Sequence, residues 1–197
     1  MSVSGYGLKP VQLMGGKAFS GGTIREFVVT PAAATYNICT GDLVNSAAGV
    51  VLAVGTAPAA STLSTNSPIG VSVGVRFTDP VLKQTQHAQF LPLNSVGYTN
   101  IFAKVIDDPE VLFQGRYDGT ITYTSINSNC TMTYVAGSTV TGNAKFYLSG
   151  AATTATLPFR IVDIVASGTD GGTGTAYTDI IVKYNTSTHQ YHFPTGA

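Results

Sequence analysis

The chain has no tryptophan, only two cysteines, and charged residues at only 10% of its 197 positions. Each scarcity excludes something. Cys39 and Cys130 are too few for a disulfide framework and form no C-x-x-C metal pair, so they read as buried free thiols. Ten basic residues against ten acidic ones give no clustered positive charge of the kind that nucleic-acid binding requires. No stretch approaches the roughly 20 apolar residues of a membrane span. The opening MSVSGYGLKPVQLMGGKAFSGG holds no apolar signal core, and the sequence reads as a soluble, unexported protein. The missing tryptophan weighs against a carbohydrate platform, which the ten tyrosines keep open only weakly.

What is present is 44% hydrophobic residue at zero formal charge, with a polar surface left to Thr, Ser, Asn and Gly. Low charge gives a free chain little protection against association, which favours self-assembly or docking on a partner. From Ile24 onward, short runs rich in β-branched and aromatic residues recur between turn signals. They are IREFVV at 24, YNIC at 36, VVLAV at 50, IGVSVGVRF at 69, YTNIFAKVI at 98 and VLFQGRY at 111. TITYT at 120, TMTYV at 131, AKFYL at 144, FRIVDIV at 159 and YTDIIVKY at 177 follow. Thr-Asp-Pro at 78, Asp-Asp-Pro at 107 and Tyr-Asp-Gly at 117 supply turns by Asx closure and glycine's positive φ. The pattern predicts an all-β chain, an antiparallel barrel or sandwich, as one domain over residues 24–197. Residues 56–67 are small and polar and read as a loop.

Residues 1–23 alternate glycine with single apolar groups and read as an extended N-terminal arm lying against its own body or a neighbouring subunit. Tyr6, Leu8, Lys9, Pro10, Val11 and Leu13 are its candidate contact residues. Deleting residues 1–14 is then expected to leave the β-body folded.

Groups able to carry chemistry are few. Asp107, Asp108, Glu110 and Asp118 lack the alternate spacing of an EF-hand loop and read as turn-initiating and strand-flanking residues, the adjacent Asp107 and Asp108 mostly solvated. Gly15-Gly16-Lys17 is followed by Ala18 where a phosphate loop needs Ser or Thr. The glycine-rich stretch 168–174 reads as a hairpin loop, a single copy of a pattern that binds calcium only in tandem. His189 and His192 sit three apart in a tail without helical pattern, a spacing that parts their side chains on a strand. No serine or cysteine stands in a nucleophile motif. The sequence therefore proposes no catalytic residue, no cofactor and no metal, and reads as a non-enzyme.

EVLFQG at 110–115 nearly matches the site that picornaviral 3C protease cuts in engineered fusions. Lying mid-chain, with Arg116 in place of the usual proline, it reads as a native strand.

Several stretches together resemble one family. GYGLKPV at 5–11 resembles the opening of small tailed-bacteriophage virion proteins, common in marine phages and regarded as capsid decoration or cement proteins. VIDDPEVLF at 105–113 is similar to their mid-chain V-x-D-D-P-x-x-x-F, and LPFRIVDIV at 157–165 and YTDIIVKYNTSTH at 177–189 resemble their C-terminal strands. The chain departs from the group after Phe113, where Gln114-Gly115-Arg116 stands in place of an acidic residue and an apolar-Gln pair. The resemblance implies a barrel or tulip-like body that binds the outer face of an icosahedral head as a homotrimer and stabilises the lattice. Its partners would be the major capsid protein, its own copies and neighbouring decoration trimers, and its place the outer surface of the virion after synthesis in the bacterial cytoplasm. The alternatives are a tail or fibre module, or a receptor- or glycan-binding β-domain.

Overall fold

The computed structural model describes residues 5–20, 23–30, 37–47, 50–53, 68–91, 97–165, 176–185 and 189–192. The first strands in chain order are β1 (Lys9–Leu13), β2 (Lys17–Ala18), β3 (Ile24–Val28), β4 (Ile38–Cys39) and β5 (Leu43–Ala47). Next come β6 (Val50–Ala53), β7 (Gly70–Thr78), β8 (Thr85–Ala88), β9 (Phe90–Leu91) and β10 (Thr99–Ile106). The last are β11 (Val111–Arg116), β12 (Asn129–Thr133), β13 (Tyr147–Ala152), β14 (Phe159–Ile164) and β15 (Asp179–Tyr184). They pair into a larger sheet of order β13-β12-β14-β15-β11-β1-β2, a second sheet β3-β10-β7-β5-β6 with β8 also on β7, and a short β4-β9 pair. The fold is all-β, as the alternation predicts, and every named strand pair is antiparallel. No helix among the described residues is long and apolar enough to cross a membrane.

The larger sheet curls into a half-barrel. Beyond β11 the chain runs on to Tyr117, which bridges Leu148 of β13, and the Asp118 N–H donates to the Leu148 carbonyl at 2.7 Å. Inside the curl, Phe113, Phe159 and Tyr184 pack ring against ring, with Phe113 and Tyr184 edge to face at 5.5 Å. Both Cys39 and Cys130 are buried and free.

Two apolar clusters meet along the second sheet, and a β-bulge assigns residues to each. On β7, Gly74 pairs with Lys104 but Ser72 pairs with Val105, so one extra residue interrupts the ladder. The insertion inverts strand parity. Val71 therefore enters the half-barrel core, while Val75 and Phe77 enter the second cluster with Ile101, Ala103 and Val105 of β10. Leu43 and Val44, adjacent on β5, split the same way, as do Cys39 and Ile38 on β4.

Several sequence expectations are corrected. TITYT is not a strand: Tyr123–Ser125 is a single 3-10 turn, because Ile121 alone of its apolar groups is buried and the polar Thr and Tyr face outward. β1, β2, β5, β8 and β9 were not foreseen as strands. β1 carries a proline, and β8 (TQHA) is a polar edge whose residues alternate between exposed and half-buried. The loop expected over residues 56–67 and the glycine-rich stretch 168–174 lie outside the described residues. EVLFQG does form a strand: Val111, Leu112 and Phe113 are buried in β11, which is paired on both sides by β15 and β1. A Cβ at Gly115 would lie 2.7 Å from Leu148 Cδ1 and 3.1 Å from Leu8 Cδ2.

Candidate interaction surface

The described N-terminal residues lie against their own body, one of the two places left open for them. β1 pairs with β11 on one side and β2 on the other, so the segment is part of the larger sheet. Glycine is what admits it. A Cβ at Gly5 would fall 2.3 Å from the Phe146 carbonyl oxygen, and one at Gly7 (φ +71°) 2.5 Å from Ala144 Cβ and 2.7 Å from the Gly41 oxygen. The Leu8 N–H then donates to the Gly41 carbonyl at 3.0 Å.

The six contact candidates divide between core and surface. Leu8 is 1% exposed inside the half-barrel core, so its side chain is committed within the chain. Tyr6 is half-buried, its ring under Lys9 Nζ at 4.4 Å and the Arg116 guanidinium at 5.6 Å. Burial first, and then the neighbouring Asp179 carboxylate, push the Tyr6 phenol well above its ordinary pKa. Asp179 itself is held by Arg116 Nε at 3.1 Å and Gln114 Nε2 at 2.9 Å. Lys9 is exposed, Pro10 and Leu13 are half-buried, and Leu13 packs against the core cluster. Val11 is the bulged residue between Pro10 and Gln12 and stands 42% exposed. Deletion of residues 1–14 would therefore strip a strand and a core leucine from the body, and the expectation that the body survives it is withdrawn.

Among the exposed apolar residues, which include Val140 at 93%, two features were not singled out from the sequence. Met14, 45% exposed, stands with Gly15 and Gly16 in the turn between β1 and β2. At the β7–β8 turn, Val81 is 83% and Leu82 59% exposed. That turn is rigidly built: Asp79 Oδ1 accepts both the Val81 and Leu82 N–H groups, at 2.7 and 2.8 Å. The signal was legible, since two apolar residues directly after an Asp-Pro turn have nowhere to be buried locally.

The acidic cluster is rearranged. Asp108 Oδ1 closes its turn on the Glu110 N–H at 2.8 Å, as an Asx turn should. Asp107 is not solvated but 4% exposed, because Arg25 Nε lies 2.6 Å from its Oδ2 and the Tyr191 hydroxyl donates to the same oxygen. The tail does form one 3-10 turn, Gln190–His192, contrary to its sequence pattern. Its Gln190 amide pairs both ways with the Ser46 backbone, which holds the turn in place. His189 is fully buried against Tyr184, and burial and then His192 push its pKa down to about 4. Among the described residues no group of three or more His, Cys, Asp and Glu side chains is placed to hold a metal ion.

Comparison with family models, with curated proteins and with solved structures finds no match.

Proposed function

We propose that the chain is a non-enzymatic virion structural protein that docks on the outer surface of a phage head as a homotrimer and stabilises the capsid lattice. The observation that carries this reading is exposed apolar side chains on a weakly charged surface, among them Val11 and Met14 of the first hairpin and Val81 and Leu82 of the β7–β8 turn. Both pairs sit on ordered backbone, so little conformational freedom is lost when they are covered. β2, the terminal strand of the larger sheet, is only two residues long, and a bulge in β1 turns Val11 outward. Such an edge resists indiscriminate strand pairing while still offering backbone groups to a matched partner. The ordered family-like stretches support the same reading, and three copies on one trimer would raise the effective concentration of each weak contact.

Light scattering on the purified chain tests the first step. Three chain masses in solution, or on addition of capsid, agree with the proposal; a monomer at all concentrations that ignores capsid contradicts it and moves weight to a tail or glycan-binding module.

A further inference from the structure

Asn129, Arg160 and Lys183 form one row across β12, β14 and β15: Arg160 is the direct ladder partner of Asn129 on one side and of Lys183 on the other. Two cations directly opposite each other on neighbouring strands repel. Lys183 Nζ has the Glu110 carboxylate 3.6 Å away. No carboxylate pairs with Arg160 among the described residues. Its Nε instead donates to Asn129 Oδ1 at 3.2 Å. Asn129 is 4% exposed and anchored in turn by its own donation to the Thr154 carbonyl at 2.9 Å.

A buried amide thus fixes the guanidinium by one edge, and its two terminal amino groups remain for a ligand. Arg160 borders a cleft of about 530 Å³ whose wall also includes Lys183, Asn127, Thr153 and Met14. Asn127 sits there at φ +69°, in the left-handed region. A bare inorganic anion would leave most of this volume unused, and the cleft is of the size that holds a small organic molecule. Arg160's planar fork matches a carboxylate. The amide of Asn127 and the hydroxyl of Thr153 match ligand hydroxyl groups.

We propose that this cleft binds a small hydroxylated carboxylate, a sugar acid either free or at the end of an acidic glycan, with Arg160 as its carboxylate-binding residue. Met14 belongs both to this cleft's wall and to the proposed docking hairpin, so binding is expected of the free chain. Binding would also relieve the Arg160–Lys183 repulsion.

The test is a titration of the full chain with sodium glucuronate, with sodium oligogalacturonate, and with glucose and sodium chloride at matched ionic strength. The Arg160 Nε–H resonance and the thermal midpoint are followed together. Both should move saturably with at least one acid and stay put with glucose and chloride. Preference for glucuronate identifies the free acid as ligand, and preference for the oligomer identifies the glycan. Arg160→Gln and Lys183→Gln should each weaken binding by more than about tenfold, the loss of one charge-assisted hydrogen bond. Lys83→Gln, at the β7–β8 turn, should bind as wild type. Should Arg160→Gln fail to fold because Asn129 loses its donor, Lys183→Gln decides. No saturable change with either acid, an equal response to chloride, or wild-type affinity in Lys183→Gln overturns the proposal.

Discussion

The Tyr191 hydroxyl donates to Asp107 Oδ2 at 2.5 Å, tying the last described turn of the chain to the end of β10. Asp107 is almost wholly buried, so this bond and the Arg25 contact on the same oxygen carry the carboxylate's satisfaction. Tyr191→Phe keeps the ring and removes the donor. It should cost about 1–2 kcal/mol of unfolding free energy, read as a lower urea midpoint with an unchanged slope. An unaltered midpoint would mean the turn is held by Gln190 alone.

Asp42 and His189 are two buried titrating groups with opposite linkage. Burial raises the Asp42 carboxyl to about 7, despite the Cys39 N–H donating to it at 2.8 Å. Its folded form therefore keeps a proton that the unfolded chain has lost, and stability falls as pH rises between about 3.8 and about 7. His189, with its pKa lowered from 6.5 to about 4, acts in the other sense, and its contribution is lost as pH falls through that window. The two slopes, each about 1.4 kcal/mol per pH unit, oppose each other between roughly pH 4 and 6.5. Asp42→Asn should therefore unmask a loss of stability on acidification, and His189→Asn a gain. Denaturant midpoints measured across this range check both signs. Parallel profiles for wild type and either variant would show that the group does not titrate as its surroundings require.

The glycines of GYGLKPV are predicted to be structural. Gly7→Ala places a Cβ 2.5 Å from Ala144 Cβ at a positive φ and should cost more than about 2 kcal/mol. Gly15→Ala, also at positive φ but with nothing within 4 Å, should cost only about 1 kcal/mol. Equal losses in thermal stability would contradict a packing role for Gly7.

The Gln114–Gly115 bond lies in β11, hydrogen-bonded on both flanks, so 3C protease should leave the native chain intact and cut it only as it unfolds. Rapid cleavage without denaturant would mean that β11 opens on its own.

How much of this was legible beforehand follows from where the information sits. Strands that bury one or both faces, such as Val111–Phe113 and Ile180–Tyr184, announce themselves in β-branched and aromatic runs. Polar edge strands such as Thr85–Ala88 do not, since only their partner β7 defines them. The N-terminal segment reads as an extended arm because glycine reads as looseness in one dimension. In three dimensions Gly5 and Gly7 permit backbone contact that buries Leu8. Asp107 looked like a solvated turn residue because its partners Arg25 and Tyr191 lie far away in sequence. The Arg160–Lys183 opposition was invisible for the same reason, as it exists only once the β14–β15 register is known.

The proposed docking of this chain on a phage head runs through its exposed apolar side chains. Cryo-electron microscopy of heads stripped of their outer proteins and mixed with the full chain tests it most directly. Trimeric density is expected on the outer surface, with the Val11–Met14 hairpin or the Val81–Leu82 turn against a neighbour. Val11→Ser with Met14→Ser, or Val81→Ser with Leu82→Ser, is further expected to lower occupancy while the fold is kept. Heads that remain bare with saturating wild-type chain would contradict this docking.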